Sequence, residues 1–186
     1  MKYSLRTAMP EDVPALRELI RRSIHALGAA DYTHEQIEAA LRGAFGVDTA
    51  LILDGTYFAI ESDASDIVAC GGWSRRRTLF GSDSRPERDE SWLDPAKEPA
   101  KIRAFFVDPA HARRGLGRML LERSECDAYR AGFRSLELMA TMPGKRLYGV
   151  FGYVPGEEVD YALPGGLAIR FVPMRKRLDK VPAVAG

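Results

Sequence analysis

The sequence predicts a layered α/β (α+β) fold, and three observations predict it. Strand-like segments and helical apolar stripes are interleaved along the chain, the second half contains a strand–helix–strand unit, and no internal repeat or bilayer-length apolar run points to another architecture. Its 186 residues suit one domain over 1–186 with a sizeable core, ending in a loose tail at about 178–186. With 27 basic and 26 acidic side chains there is no overall basic field for nucleic acid, so any anion must be held by a local site.

"KYSLRTA" alternates as a strand. "MPEDVPALRELIRRSIHAL" follows as a helix, with Pro10, Glu11 and Asp12 suited to its first turn, Val13, Leu16, Ile20 and Ile24 spaced along one face, and Gly28 at its end. Thr33 and Gln36 have the spacing of a capping box, which predicts a second short helix stopping near Gly43. "TYFAIES" and "DIVACGGWSRR" are strands joined by the polar turn "SDASD". Between Arg75 and Ala100 the periodicity disappears into a long loop, a length that in compact domains marks function or mobility. Trp73 with Arg75, Arg76 and Arg77 reads as the edge of that solvated loop, since "RPERDE" supplies compensating charge.

"KIRAFFV" has the continuous apolar end of a central strand. A helix then runs to about Ala131, with Leu116, Leu120, Ser124, Ala128 and Ala131 on its buried side and Arg123, Glu125, Asp127 and Arg130 mostly elsewhere; Gly132 caps it. "RSLELMAT", the short helix "GKRLYGVF", the strand region "GYVPGEEVDYAL" and the last strand "LAIRFVPMRKRL" complete the order.

Gly115 and Gly117 flank Leu116 where that helix begins. Glycine admits a ligand close to the backbone, and the first amides of a helix have no intrahelical partner and carry the positive end of its dipole. Arg113, Arg114 and Arg118 add charge around them. A Walker loop is excluded, because Arg118 and Met119 follow Gly117 where Lys-Ser/Thr is required. A dinucleotide fingerprint is disfavoured: Glu137 has the spacing of a ribose partner, but Leu120 occupies the third glycine position and "DPAHARR" is too long for the tight strand-to-helix bend.

"FFVDPAHARRGLGRMLLE" resembles the strand, Val-x-Pro turn and glycine loop of the GNAT superfamily of acyl-CoA-dependent N-acyltransferases. "MATMPGKRLYGVFGYV" is similar to that family's C-terminal half, with Leu147, Tyr148, Gly152 and Tyr153 at the pattern positions and Leu147 in place of the usual aromatic. The resemblance covers about residues 57 to 155 well. It implies a mixed, mostly antiparallel sheet flanked by helices, and acetyl-CoA as co-substrate. Main chain at about Arg113–Arg118 (Arg113, Arg114, Gly115, Leu116, Gly117, Arg118) would hold the pyrophosphate. Phe105, Phe106 and Val107 would face the acyl carbonyl and pantetheine arm. Ala112 departs from the family's Gln or Arg, which removes some charge assistance.

The resemblance also gives Tyr148 the role of protonating the departing thiolate, a task that suits a phenol with a pKa near ~10. Its implied activity is N-acetylation of a primary amine, with a small-molecule acceptor favoured. The rivals are a non-catalytic coenzyme A sensor and a protein or peptide acetyltransferase. Tyr32, in "ADYTHEQ", is the candidate acceptor-side residue. No base is assigned, because "KIRAFFV" carries no carboxylate where many members of that family place one; Glu61, Asp31 and Glu35 are candidates acting through water, each read first as a surface charge.

His25, His34 and His111 share no metal-ligand spacing, so no metal is expected. Cys70 and Cys126, far apart and in no CxxC pattern, read as buried reduced thiols. With "MKYSLRTAMPED" lacking an apolar targeting segment, a cytoplasmic protein without membrane or nucleic-acid partners is expected, and the last strand offers an edge for a homodimer.

Overall fold

Strand β1 (Tyr3–Thr7) pairs antiparallel with β2 (Tyr57–Ser62), and β2 pairs with β3 (Ile67–Ser74) across the turn predicted at "SDASD". The computed structural model describes residues 2–84 and 88–179. The remaining strands are β4 (Ala100–Val107), β5 (Ser135–Thr141), β6 (Val154–Pro155), β7 (Val159–Ala162) and β8 (Ala168–Arg177). They form one 8-stranded sheet of order β1-β2-β3-β4-β5-β8-β6, with β7 also on β8. Only the β4–β5 pair is parallel, so the sheet is mixed and mostly antiparallel, and "KIRAFFV" lies at its centre as expected.

Helices α1 (Val13–Leu27), α2 (His34–Ala40) and α3 (Thr49–Leu53) cover one face, and α4 (Leu116–Arg130) covers the other. Residues of β2 therefore alternate between two cores: Tyr57 and Ala59 pack under the α1–α3 layer, while Phe58 and Ile60 pack under α4. Each of the fully buried Leu16, Leu19 and Ile20 of α1 contributes about 1.5–3 kcal/mol by leaving water. Helix α5 (Lys145–Val150) follows β5.

The Thr33–Gln36 capping box is present, with Gln36 N donating to Thr33 Oγ1 (3.2 Å) and Thr33 N to Gln36 Oε1 (2.9 Å), though α2 ends at Ala40 and not near Gly43. The region "GYVPGEEVDYAL" is two short strands, β6 and β7, both laid on β8. Glu125 corrects the expected polar face of α4: it is buried, and Lys176 of β8 donates to both of its oxygens at 2.7 Å. A paired charge can be enclosed where a lone one cannot. The expected tail lies, from residue 180 onward, outside the described residues. Cys70 and Cys126 are free and buried, as expected. No helix among the described residues is long and apolar enough to cross a membrane.

Candidate active-site cleft

Strands β4 and β5 pair only at Ala100–Leu136 and Lys101–Glu137 before they diverge. On the other edge of β4 the register shifts so that Ala104 and Phe105 stand opposite the single residue Gly71. Such a bulge bends the strand. Ala104 takes a positive φ of 55°, and its carbonyl accepts a hydrogen bond from the Tyr57 hydroxyl at 3.0 Å. Gly71 is required beside it, since a Cβ there would stand 2.3 Å from the Phe105 ring. A wedge therefore opens in the middle of the sheet, with the main chain of residues 104–107 along one wall.

The wedge holds two cavities, of about 640 Å³ and 70 Å³. They share Phe45, Phe105, Phe106, Thr141 and Tyr148, so Tyr148 stands where they meet. The larger runs from that point past α1 to the start of α4. There Gly115 takes the left-handed conformation (φ 83°), which needs glycine, and no side chain caps the helix. The first helical bond runs from Met119 N to Gly115 O (3.0 Å), so the amides of Leu116, Gly117 and Arg118 precede any intrahelical acceptor. Arg113 and Arg118 border the same cavity, and Arg118 is also held by Glu122 at 2.7 Å.

Tyr148 is buried, with its ring 6.2 Å from Phe105 and 5.8 Å from Tyr153. Its hydroxyl makes no hydrogen bond to another described residue, and the side chain lines both cavities. Burial raises its pKa above the ordinary tyrosine value and keeps the phenol protonated. A protonated, unpartnered O–H in a cleft is equipped to give a proton.

Of the residues the sequence nominated, Phe105, Phe106, Val107, Arg113, Gly115, Leu116, Gly117, Arg118, Tyr148 and Tyr32 all border the larger cavity, and Arg114 does not. The Val107 amide is engaged, donating to Ser23 Oγ of α1 at 3.2 Å. The Tyr32 hydroxyl is engaged as well: it donates to Arg170 O (3.0 Å) and accepts from Met142 N (2.9 Å), tying the α1–α2 connection to β8. Sequence reasoning missed Arg146, a third guanidinium on the cavity wall, and the contribution of α1.

Glu61, Asp31 and Glu35 line neither cavity, and Glu61 instead accepts from Arg6 at 2.8 Å. No carboxylate of the described residues lines either one. The histidines depart from expectation. His111 is bonded to the Tyr3 hydroxyl (3.0 Å), whereas His25 and His34, unrelated in sequence spacing, are brought together with ring centroids 5.7 Å apart.

Comparison with known proteins decides the family. The family model described as "Acetyltransferase (GNAT) domain" matches residues 54–155, the stretch that holds the bulged strand, the glycine loop and Tyr148. The chain belongs to the GNAT acetyltransferase family. No curated protein sequence matches it significantly. Among solved structures, a GCN5-related N-acetyltransferase from Rhodopseudomonas palustris is 20% identical with a TM-score of 0.70, over 96% of this chain and 97% of that one. The PaiA N-acetyltransferase of Thermoplasma acidophilum, solved with coenzyme A, is 16% identical (TM-score 0.65; 95% and 99% covered). YncA, a putative acetyltransferase of Salmonella typhimurium solved with acetyl-CoA, is 18% identical (TM-score 0.63; 99% and 98% covered). At these identities the likeness establishes that the GNAT fold is shared.

Proposed function

We propose that the protein transfers an acetyl group from acetyl-CoA to the primary amine of a small molecule, in a reducing compartment that suits its two free thiols. One observation carries this reading. The unpaired amides of Leu116–Arg118 and the unpartnered Tyr148 hydroxyl border one cavity, an anion cradle at one end and a proton donor at the other. The helix-end amides, with Arg113, Arg118 and Arg146, would hold the pyrophosphate, and the wall at Phe105–Val107 would direct the thioester toward Tyr148. The Val107 amide would exchange Ser23 Oγ for a pantetheine carbonyl, a swap of one hydrogen bond for another.

The amine nitrogen attacks the thioester carbonyl, the carbon–sulfur bond breaks, and the thiolate takes the Tyr148 proton. A main-chain donor placed against the developing oxyanion would be worth about 3 kcal/mol. The proton lost by the amine passes to solvent. Titrating free thiol with acetyl-CoA and a panel of amines and amino acids tests the proposal: release with at least one small amine supports it, and release only with peptide N-termini or lysines moves the acceptor to proteins. The missing carboxylate favours a second reading, a coenzyme A sensor, which would give no thiol release with any acceptor while calorimetry shows tight coenzyme A binding.

A further inference from the structure

Outside the cleft, the packing of α1 against α2 gathers three metal-ligating side chains that the GNAT reading does not use. His34 opens α2 and Glu38 lies four residues on, so one helical turn places both on the same face. His25 comes from the last turn of α1, and its Nε2 is 3.0 Å from Glu38 Oε1. The two imidazoles are tilted 37° to each other. One ligand atom from each of the three residues falls within 4.8 Å of the others.

We propose that His25, His34 and Glu38 bind a divalent transition-metal ion of the Zn²⁺ type, which fastens the end of α1 to α2. An ordinary His–Glu pair accounts for His25 and Glu38, but it gives no reason for a second imidazole to face the same point. Two neutral imidazoles and a carboxylate form a borderline-soft donor set that suits Zn²⁺, Ni²⁺ or Cu²⁺ and is poor for Mg²⁺ or Ca²⁺. Around an ion with bonds of about 2.0–2.1 Å, tetrahedral ligand atoms stand about 3.4 Å apart, so the 3.0 Å His25–Glu38 pair opens slightly while the widest separation, within 4.8 Å, closes by roughly 1 Å. Rotamer changes allow this, since His34 and Glu38 are exposed and His25 is half-buried. Three protein donors leave a coordination position to water.

Arg21 is close enough to sense Glu38, but its guanidinium is held by Glu18 at 2.9 and 3.1 Å. His111 is committed to Tyr3, and Cys70 and Cys126 are buried. An ion here would bracket the connection Gly28–Thr33, whose Gly28 and Tyr32 form part of the cleft wall. The site depends on the α1–α2 geometry alone and stands whether or not the acetyl-transfer reading does.

The test is calorimetric titration of the untagged protein with Zn²⁺, backed by thermal unfolding. One ion per chain and a rise in melting temperature are expected, because an ion that binds the folded state stabilises it. His25→Ala and His34→Ala should each weaken binding at least tenfold, and His111→Ala should leave it unchanged. No heat with wild type, or wild-type affinity retained in the His25 or the His34 variant, overturns the site. A measurement on the wild type guards against variants that misfold. On adding Zn²⁺, the imidazole resonances of His25 and His34 should move while those of His111 stay; movement of His111 alone overturns the assignment.

Discussion

The guanidinium of Arg103 lies 2.7 Å from the carboxylate of Asp48, and both side chains are closed off from solvent. Arg103 also donates to Thr78 O (2.6 Å) and Gly81 O (2.8 Å), and Arg88 donates to the other Asp48 oxygen at 2.7 Å. The pair thus fixes the loop after β3 to the central strand, where Phe80 and Gly81 wall the smaller cavity. Asp48→Ala leaves a buried cation without its partner and should cost about 3–5 kcal/mol in chemical denaturation. A loss under about 1 kcal/mol would mean that the pair does not hold the loop.

Gly71 and Phe105 make a second checkable relationship. Gly71→Ala pushes a Cβ to 2.3 Å from the ring, an overpacking that should cost about 1–3 kcal/mol. In a Phe105→Ala background the same change should cost much less, so a double-mutant cycle of unfolding free energies should show coupling. Strictly additive effects would contradict the close approach.

For Tyr148, Tyr148→Phe should lower kcat by one to several orders of magnitude with little change in coenzyme A affinity. Burial raises the phenol's pKa, so the acid form persists above pH 10 and the pH–rate profile should show no alkaline fall from this group below about pH 10. Unchanged turnover in the phenylalanine variant would remove Tyr148 from the chemistry.

Burial pushes the Cys70 thiol from 9.0 up to about 12, beside the Tyr57 hydroxyl at 3.2 Å. Above pH 9 the unfolded chain therefore loses this proton while the folded chain keeps it. The thiol's stabilising contribution is complete below pH 9 and is lost as pH rises toward about 12. Urea unfolding from pH 7 to 10.5 should show stability falling above pH 9, and Cys70→Ala should flatten part of that fall. Tyr57, Tyr148 and Tyr153, raised by burial, leave a remainder of the same sign from about pH 10.

The parts of this molecule that were legible in the sequence are those set by neighbours in the chain. The glycine loop before α4, the capping box of α2 and the apolar end of β4 follow from local spacing, and each formed as expected. Helix α3 escaped because five residues with no side-chain cap carry too little periodicity to register. Arg146 was not nominated because only the placing of α5 against the wedge brings it to the wall. Glu125 read as solvent-facing because its partner Lys176 is fifty-one residues away. The approach of His25 to His34 likewise depends on how two helices pack, which spacing along one chain cannot express.

The central claim is that the opening amides of α4 grip an anionic cofactor, and amide-resolved NMR during titration with coenzyme A tests it most directly. Leu116, Gly117 and Arg118 should show the largest shifts, saturating together with the calorimetric isotherm. Binding that leaves those three amides unmoved, or no binding at all, would contradict it.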